Sequence, residues 1–345
     1  MSSIKRRQRI AVYSLVFIFS LSLLVPFSGL LLTDGAATAA EFTDNNPRAD
    51  YWREVRQSNE GYTTAQGREA GVLINDGGQD WRRIRNGWVA NFMPWLLLVV
   101  FSMLVLFHFL KGKKKVTKPL SGRKVLRWKA YERALHFSVA FLFIVLAITG
   151  LSLLFGRALL IPIVGKDAFA AYASLAKDVH NYLGPLFSVL LAVLIVLWMR
   201  HNIFKPEDWE WLKKWGGLFG DGAHPHAGRM NGGEKIWFWL ISTVGVAACA
   251  SGLIMDFTNF QQGRETMQIA NIIHAVLSIG WIAVALGHIY IGTLGTEGAL
   301  EGMTTGYVSE EWAEQHHDLW LEEMKQGGNE SSSSSVAEEP VAEKN

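Results

Sequence analysis

Five long runs without a charged residue constrain this chain more than any other feature of it. They lie at 92–110, 135–155, 183–199, 236–255 and 272–294, each close to the ~20 residues a helix needs to cross the hydrocarbon layer. No water is available there to satisfy exposed backbone groups, and none of the runs alternates as a barrel strand does, so each reads as a helix. The rest of the composition agrees. Of 345 residues, 50% are hydrophobic and only 19% charged, and the class that follows is an all-α membrane protein.

Other segments are read around these spans. Residues 1–40 have the grammar of a signal peptide or an uncleaved signal anchor: Lys5, Arg6, Arg7 and Arg9, an apolar stretch 10–32, then Thr38-Ala39-Ala40. Residues 41–90 are polar, and their Tyr51, Trp52, Tyr62, Trp81 and Trp88 suit docking on a partner as well as lying on the membrane surface. Orientation follows from the basic residues, which accumulate on the cytoplasmic side of span ends. Lys111, Lys113, Lys114, Lys115, Lys118, Arg123, Lys124, Arg127 and Lys129 fall in one stretch without an acidic residue. That stretch is read as cytoplasmic. The connection 156–179 is then periplasmic, 200–235 cytoplasmic and 257–271 periplasmic. The tail after Gly295 is cytoplasmic, and its Ser-rich, acidic end from residue 326 is expected to be disordered.

Cys249 is the only cysteine, so internal disulfides, a cysteine-ligated cluster and a C-x-x-C-H haem attachment are excluded within this chain. Any redox cofactor has to be held by histidine or methionine. Histidines stand at nearly every span end, and ligating side chains in a membrane are functional candidates by default. His274 and His288 are 14 residues apart on the fifth span, which returns them to one helix face about 21 Å apart. One helix therefore offers a ligand near each membrane surface, as two bis-histidine b haems would require.

On the periplasmic side His180 is the partner for His274. On the cytoplasmic side His136, His201 and His108 are all candidates for His288, and topology does not choose among them. His201 beside Arg200 and His108 just before Lys111 suit residues that snorkel to the interface, which favours His136. Small residues at Gly150, Gly184, Gly245, Gly252, Gly280 and Gly287 suit the approach of a flat macrocycle, or close helix packing alone. His224, His226, His316 and His317 are read as solvent-exposed.

Several motifs together resemble the gamma subunit, the cytochrome b subunit, of membrane-bound formate dehydrogenases, over about residues 131–324. They are Glu132-Arg133-Ala134-Leu135-His136-Phe137, Val179-His180-Asn181-Tyr182-Leu183-Gly184, Ile273-His274-Ala275 and Gly287-His288-Ile289-Tyr290. Arg200-His201-Asn202-Ile203 and the stretch from Val308 to His317 also follow the family pattern. The resemblance implies a di-haem four-helix transmembrane bundle at 131–325, with one extra N-terminal transmembrane helix at 91–110 and a basic linker at 111–130. It implies two haem b groups as cofactors, one held by His180 with His274 and the other by His136 with His288.

The segment Arg229-Met230-Asn231-Gly232-Gly233-Glu234-Lys235 resembles the family's quinone-site loop. By that likeness Asn231, Gly233 and His288 line a menaquinone or ubiquinone pocket; by residue chemistry alone Asn231-Gly232-Gly233 is an ordinary turn. The implied partners are a periplasmic iron-sulfur beta subunit and a molybdenum or tungsten catalytic alpha subunit, in the bacterial inner membrane, with no nucleic acid involved. This chain is expected to carry electrons, with no catalytic residue of its own. A cytochrome b subunit of a nickel-iron hydrogenase or a thiosulfate reductase, and a haem-free transporter or anchor, are the competing readings. The N-terminal segment and extra span depart from the shortest family members and bear on partner geometry.

Overall fold

The computed structural model describes residues 53, 56–57, 76–217, 225–260 and 262–333. The signal-like stretch, Tyr51, Trp52, Tyr62 and His224 lie outside them. Among the described residues five helices are long and apolar enough to cross a membrane: α1 Gly77–Lys111, α2 Ala130–Leu159, α3 Lys166–His201, α5 Gly232–Asp256 and α6 Arg264–Gly295. A short helix α4 (Pro206–Lys213) lies between α3 and α5. After α6 come α7 (Ala299–Thr305), α8 (Glu310–His316) and α9 (Asp318–Ser333). Two three-residue strands, β1 (Lys124–Leu126) and β2 (Tyr307–Ser309), pair antiparallel with Val125 opposite Val308.

The helices overrun the apolar runs that predict them, because backbone bonding continues until a cap or breaker stops it. At the start of α2 the Glu132 carboxylate accepts the Lys129 backbone N–H at 2.8 Å. α1 begins at Gly77, well inside the segment read as an extension. Its Trp81 donates its indole N–H to Asn271 of α6 at 3.3 Å, so Trp81 docks on this chain, whereas Trp88 is exposed. Hydroxyls inside the spans bond back one turn along their own helix. Ser152 donates to the Ile148 carbonyl at 2.7 Å, Ser188 to Gly184 at 2.9 Å, Ser251 to Ala247 at 2.8 Å and Thr293 to Ile289 at 2.6 Å. That is how a polar side chain is satisfied where water is absent.

The chain divides into two compact units. The first comprises residues 1–110, 137–192 and 243–288. Its core is apolar, built from Val89, Leu97, Ala147, Phe155, Ile279, Ile282 and Leu286. Phe143 packs between Phe187 and Trp281, with ring centroids 6.3 and 4.9 Å away.

The second unit, residues 111–136, 193–242 and 289–345, is held differently. Its small apolar cluster of Val308, Trp312, Ala313, Trp320 and Leu321 surrounds buried charge. Arg127 is 4% exposed, ion-paired to Glu234 at 2.9 Å, with its guanidinium 4.9 to 5.7 Å from the rings of Trp128, Trp312 and Trp320. Burial works against the Arg127 charge and the Glu234 carboxylate works for it. Arg229 pairs with Glu132 at 2.9 Å, and Lys235 with Asp208 at 2.6 Å. The basic linker meets the acidic tail: Lys118 bonds Glu314 and Arg123 bonds Glu310, both at 2.6 Å. Lys325 donates to Glu310 as well and, with Arg123 beside it, holds that carboxyl below the usual range.

Two expectations change here. His317 is buried at 1% exposure and donates from Nδ1 to the Gly228 carbonyl at 2.9 Å, so it is not a solvent-exposed tail residue. The cause is the tryptophan face of α8 and α9, which covers Arg127 and takes the histidine with it. The helix α9 also runs to Ser333, past residue 326 where a structureless end was expected. His226 is exposed as expected and bonds Asp318.

Two outcomes follow from these pairs. Asp208→Ala leaves the buried Lys235 ammonium without its counter-charge and should cost about 3–5 kcal/mol, read as a lowered detergent melting temperature; removing both charges with Asp208→Leu and Lys235→Met should cost far less. The hydrogen bond from His226 to Asp318, with the coulombic attraction of that carboxylate, raises the imidazole pKa above 6.5. Burial acts to raise the Asp318 pKa but is outweighed by the His226 and backbone hydrogen bonds, which hold it below 3.8. The His226 contribution is full below pH 6.5 and fades as pH rises through the raised value; that of Asp318 is full above 3.8 and fades as pH falls through the lowered one. Amide protection factors of residues 226–229 should therefore be greatest between those limits, and His226→Ala should flatten the profile.

Candidate functional site

Helical phase alone sets His274 and His288 on one face of α6, and the structure places both on that single continuous helix. In the first unit His180 of α3 meets His274. Their ring centroids are 6.1 Å apart and the ring planes stand at 89°. Both imidazoles are oriented through Nδ1. His274 Nδ1 is 2.8 Å from the Ala248 carbonyl oxygen of α5, which can only accept, so Nδ1 carries the hydrogen and Nε2 its lone pair. His180 Nδ1 is 2.8 Å from Thr149 Oγ1. That hydroxyl donates its own hydrogen to the Val145 carbonyl at 2.9 Å, so it accepts from His180 and leaves Nε2 in the same state. An imidazole held at one nitrogen with the other as a lone-pair donor is the arrangement a metal ligand needs.

Glycines make the room. A Cβ on Gly252 of α5 would stand 3.0 Å from His274 Cε1, and one on Gly150 of α2 would stand 3.1 Å from His180 Cε1. Gly245 instead receives Trp281 at 2.9 Å, so its role is helix packing. At Gly184, one turn along α3 from His180, and at Gly280 and Gly287 on α6, no heavy atom of the described residues lies within 4 Å of the Cβ position. Thr149 had no sequence signal of its own beyond membership of a span, whereas Gly150 and Gly252 stood among the small residues singled out there.

His136 lies in the second unit and His288 in the first. The His136 ring stacks against Trp198, with centroids 6.3 Å apart and planes at 21°. His288 is an exposed residue near the end of α6. His201 is committed elsewhere: its Nε2 lies 3.3 Å from Arg229 Nη1 and 3.1 Å from Arg200 Nε, and guanidinium groups only donate. His108 has Phe109 as its ring neighbour, 6.4 Å away.

The loop read as a turn is the start of a helix. Asn231 is the N-cap of α5: its Oδ1 accepts the Glu234 N–H at 3.0 Å, and Glu234 Oε2 accepts the Asn231 N–H at 2.9 Å. This is a reciprocal capping box. Trp211 of α4 lies over the adjoining glycines, with Cη2 2.8 Å from where a Gly233 Cβ would stand. The Asn-x-x-Glu spacing was legible as a cap, and the charged partners Arg127, Glu132, Asp208 and Arg229 were not legible as a cluster.

The fold and the oriented histidine pair define a multi-pass helical membrane protein with an intramembrane imidazole site. Residues 127–306 match the model of the prokaryotic cytochrome b561 family, and the chain belongs to that family. It is also 28% identical over 204 residues to the cytochrome b556(fdo) subunit of formate dehydrogenase of Escherichia coli (strain K12), covering 58% of this chain and 93% of that protein. With the cytochrome b556(Fdn) subunit of the nitrate-inducible formate dehydrogenase of the same strain it shares 27% over 208 residues, 59% of this chain and 93% of the relative. The formate dehydrogenase cytochrome b556 subunit of Haemophilus influenzae is 25% identical over 205 residues, 58% and 83% of the two chains.

A cytochrome b carries haem b, and the residues of the first unit fit one. Two imidazoles that share one metal ion at about 2 Å each would have their ring centroids roughly 6 Å apart, a spacing the His180 and His274 rings have at 6.1 Å. Gly252→Val should push the His274 ring off its position and lower the b-type absorbance of the purified protein. Gly280→Ala, made in open space, should leave the spectrum unchanged.

Proposed function

We propose that this chain is the electron-transfer and membrane-anchor subunit of a formate dehydrogenase, carrying electrons from a periplasmic iron-sulfur subunit through two b haems to quinone. The observation that carries the reading is the His180 and His274 pair, oriented by Thr149 and the Ala248 carbonyl. The likeness to formate dehydrogenase cytochrome b556 subunits in two bacteria supports the choice of partner.

The protein's part is to hold, orient and bury. His180 and His274 would hold one haem toward the periplasm, and His136 with His288 the other toward the cytoplasm. His136 is preferred to His201 because Arg229 and Arg200 occupy the His201 Nε2. The haem groups, when bound, supply reversible one-electron chemistry. Asn231, Gly233 and His288 line the quinone pocket. With Oδ1 fixed by the cap, Asn231 keeps its Nδ2 hydrogens for a quinone carbonyl. A molybdenum or tungsten subunit carries out formate oxidation, and the membrane is the inner membrane of a bacterium, with the C-terminus cytoplasmic.

Reduced-minus-oxidised spectra test the ligands. His180→Ala and His136→Ala should each remove about one of two haems; retention of both in either variant rejects that ligand. Formate added to membranes should reduce the haems in the wild-type protein and in Asn231→Leu, while the variant slows quinone reduction about tenfold, as loss of one good hydrogen bond would. Haems reduced by hydrogen gas and not by formate would assign the chain to a hydrogenase instead.

A further inference from the structure

The second unit buries side-chain N–H groups that have no hydrogen-bond partner among the described residues, among them Trp198 Nε1, Arg133 Nε and Arg127 Nη1. A buried donor without an acceptor is a standing cost of desolvation, and native structures keep few of them without reason. These three gather about one residue. The Trp198 ring lies 5.1 Å from that of Trp128, and the Arg127 guanidinium is 5.4 Å from it. Arg133 Nε is 3.3 Å from the Cβ position of Gly306, whose carbonyl accepts the backbone N–H groups of both Arg127 and Trp128.

The place is next to His136. Trp198 stacks against the His136 ring, and Arg133 precedes His136 by three residues on α2, which puts both on one helix face. Arg133 differs from the three buried or half-buried cations paired around it. Arg127 is matched by Glu234, Arg229 by Glu132 and Lys235 by Asp208. Arg133 donates from Nη1 to the Thr304 carbonyl at 2.6 Å and has no carboxylate within ion-pair distance among the described residues. An arginine with no carboxylate partner among the described residues, and buried N–H donors without acceptors, one turn from His136, call for an anionic oxygen acceptor.

We propose that Arg133 and Trp198 bind the propionate carboxylates of the haem that His136 ligates, an inference that rests on the ligand reading above. Arg133 supplies a charge-assisted bond and Trp198 a neutral one from its indole N–H. Arg127 remains with Glu234. Neither residue touches the iron, so both are positioning residues. Each also tunes the haem: a carboxylate without its counter-charge favours ferric iron, so Arg133 holds the potential up.

The test is a potentiometric titration of the intact complex in membranes, followed at the haem absorbance. Arg133→Gln should shift the ferrous-to-ferric ratio of one haem about tenfold toward ferric at a fixed potential, equal to about 59 mV lower for a one-electron couple. The other haem serves as an internal control and should not move. Arg133→Lys keeps the charge and should recover most of the shift. Trp198→Phe keeps the ring, loses only the N–H, and should move the same haem about threefold. If Arg133→Gln does not assemble, Trp198→Phe decides. Full haem content with both potentials unchanged in Trp198→Phe, or in Arg133→Gln where it assembles, overturns the proposal. Retention of both haems in His136→Ala overturns the ligand reading instead, whatever the titration gives.

Discussion

A polar atom in a hydrocarbon layer has only its own protein to bond to, and the first unit is organised by that constraint. Span hydroxyls turn back onto the carbonyls of their own helices. Thr149 does the same and then serves a second purpose, because a hydroxyl that has donated to Val145 can still accept from His180. His274 finds its acceptor in a helix carbonyl of α5. Satisfying the imidazoles and aiming them are thus one event. The side chains that do it are small and local, and the glycines beside them clear the volume the rings occupy.

The second unit meets the same scarcity of water with charge. Arg127, Arg229, Lys235 and their carboxylates form pairs whose members come from the linker, the start of α2, the 202–235 connection and α5. Tryptophans from the linker and the tail close over them. Buried pairs of this kind contribute little net stability and penalise any arrangement that separates them. Their effect is to fix four distant stretches of chain in one register, with the Asn231 cap among them.

What could be read beforehand depended on distance along the chain. The five spans follow from uninterrupted apolar runs, and the meeting of His180 with His274 follows from depth and helical phase, both local quantities. The charged cluster joins residues up to 107 positions apart, Arg127 to Glu234, and no periodicity links them. His317 looked like part of a polar tail because neighbouring sequence says nothing of Gly228 or Trp312 as companions. Asn231 looked like a turn although its capping partner stood three residues on. His136 is favoured over His201 by span-end chemistry and family resemblance; the fold adds only that Arg229 lies against His201.

The basic linker and the acidic tail are joined through Lys118 with Glu314 and Arg123 with Glu310. A chain is made from its N-terminus, so Lys118 and Arg123 exist long before either glutamate has been added. The membrane that reads the linker's charge during insertion meets it bare. The finished protein shows a smaller charge at the same place. Lys118 and Arg123 therefore stand bare while the helices insert, and their charges are met only after residues 310 to 314 have been made.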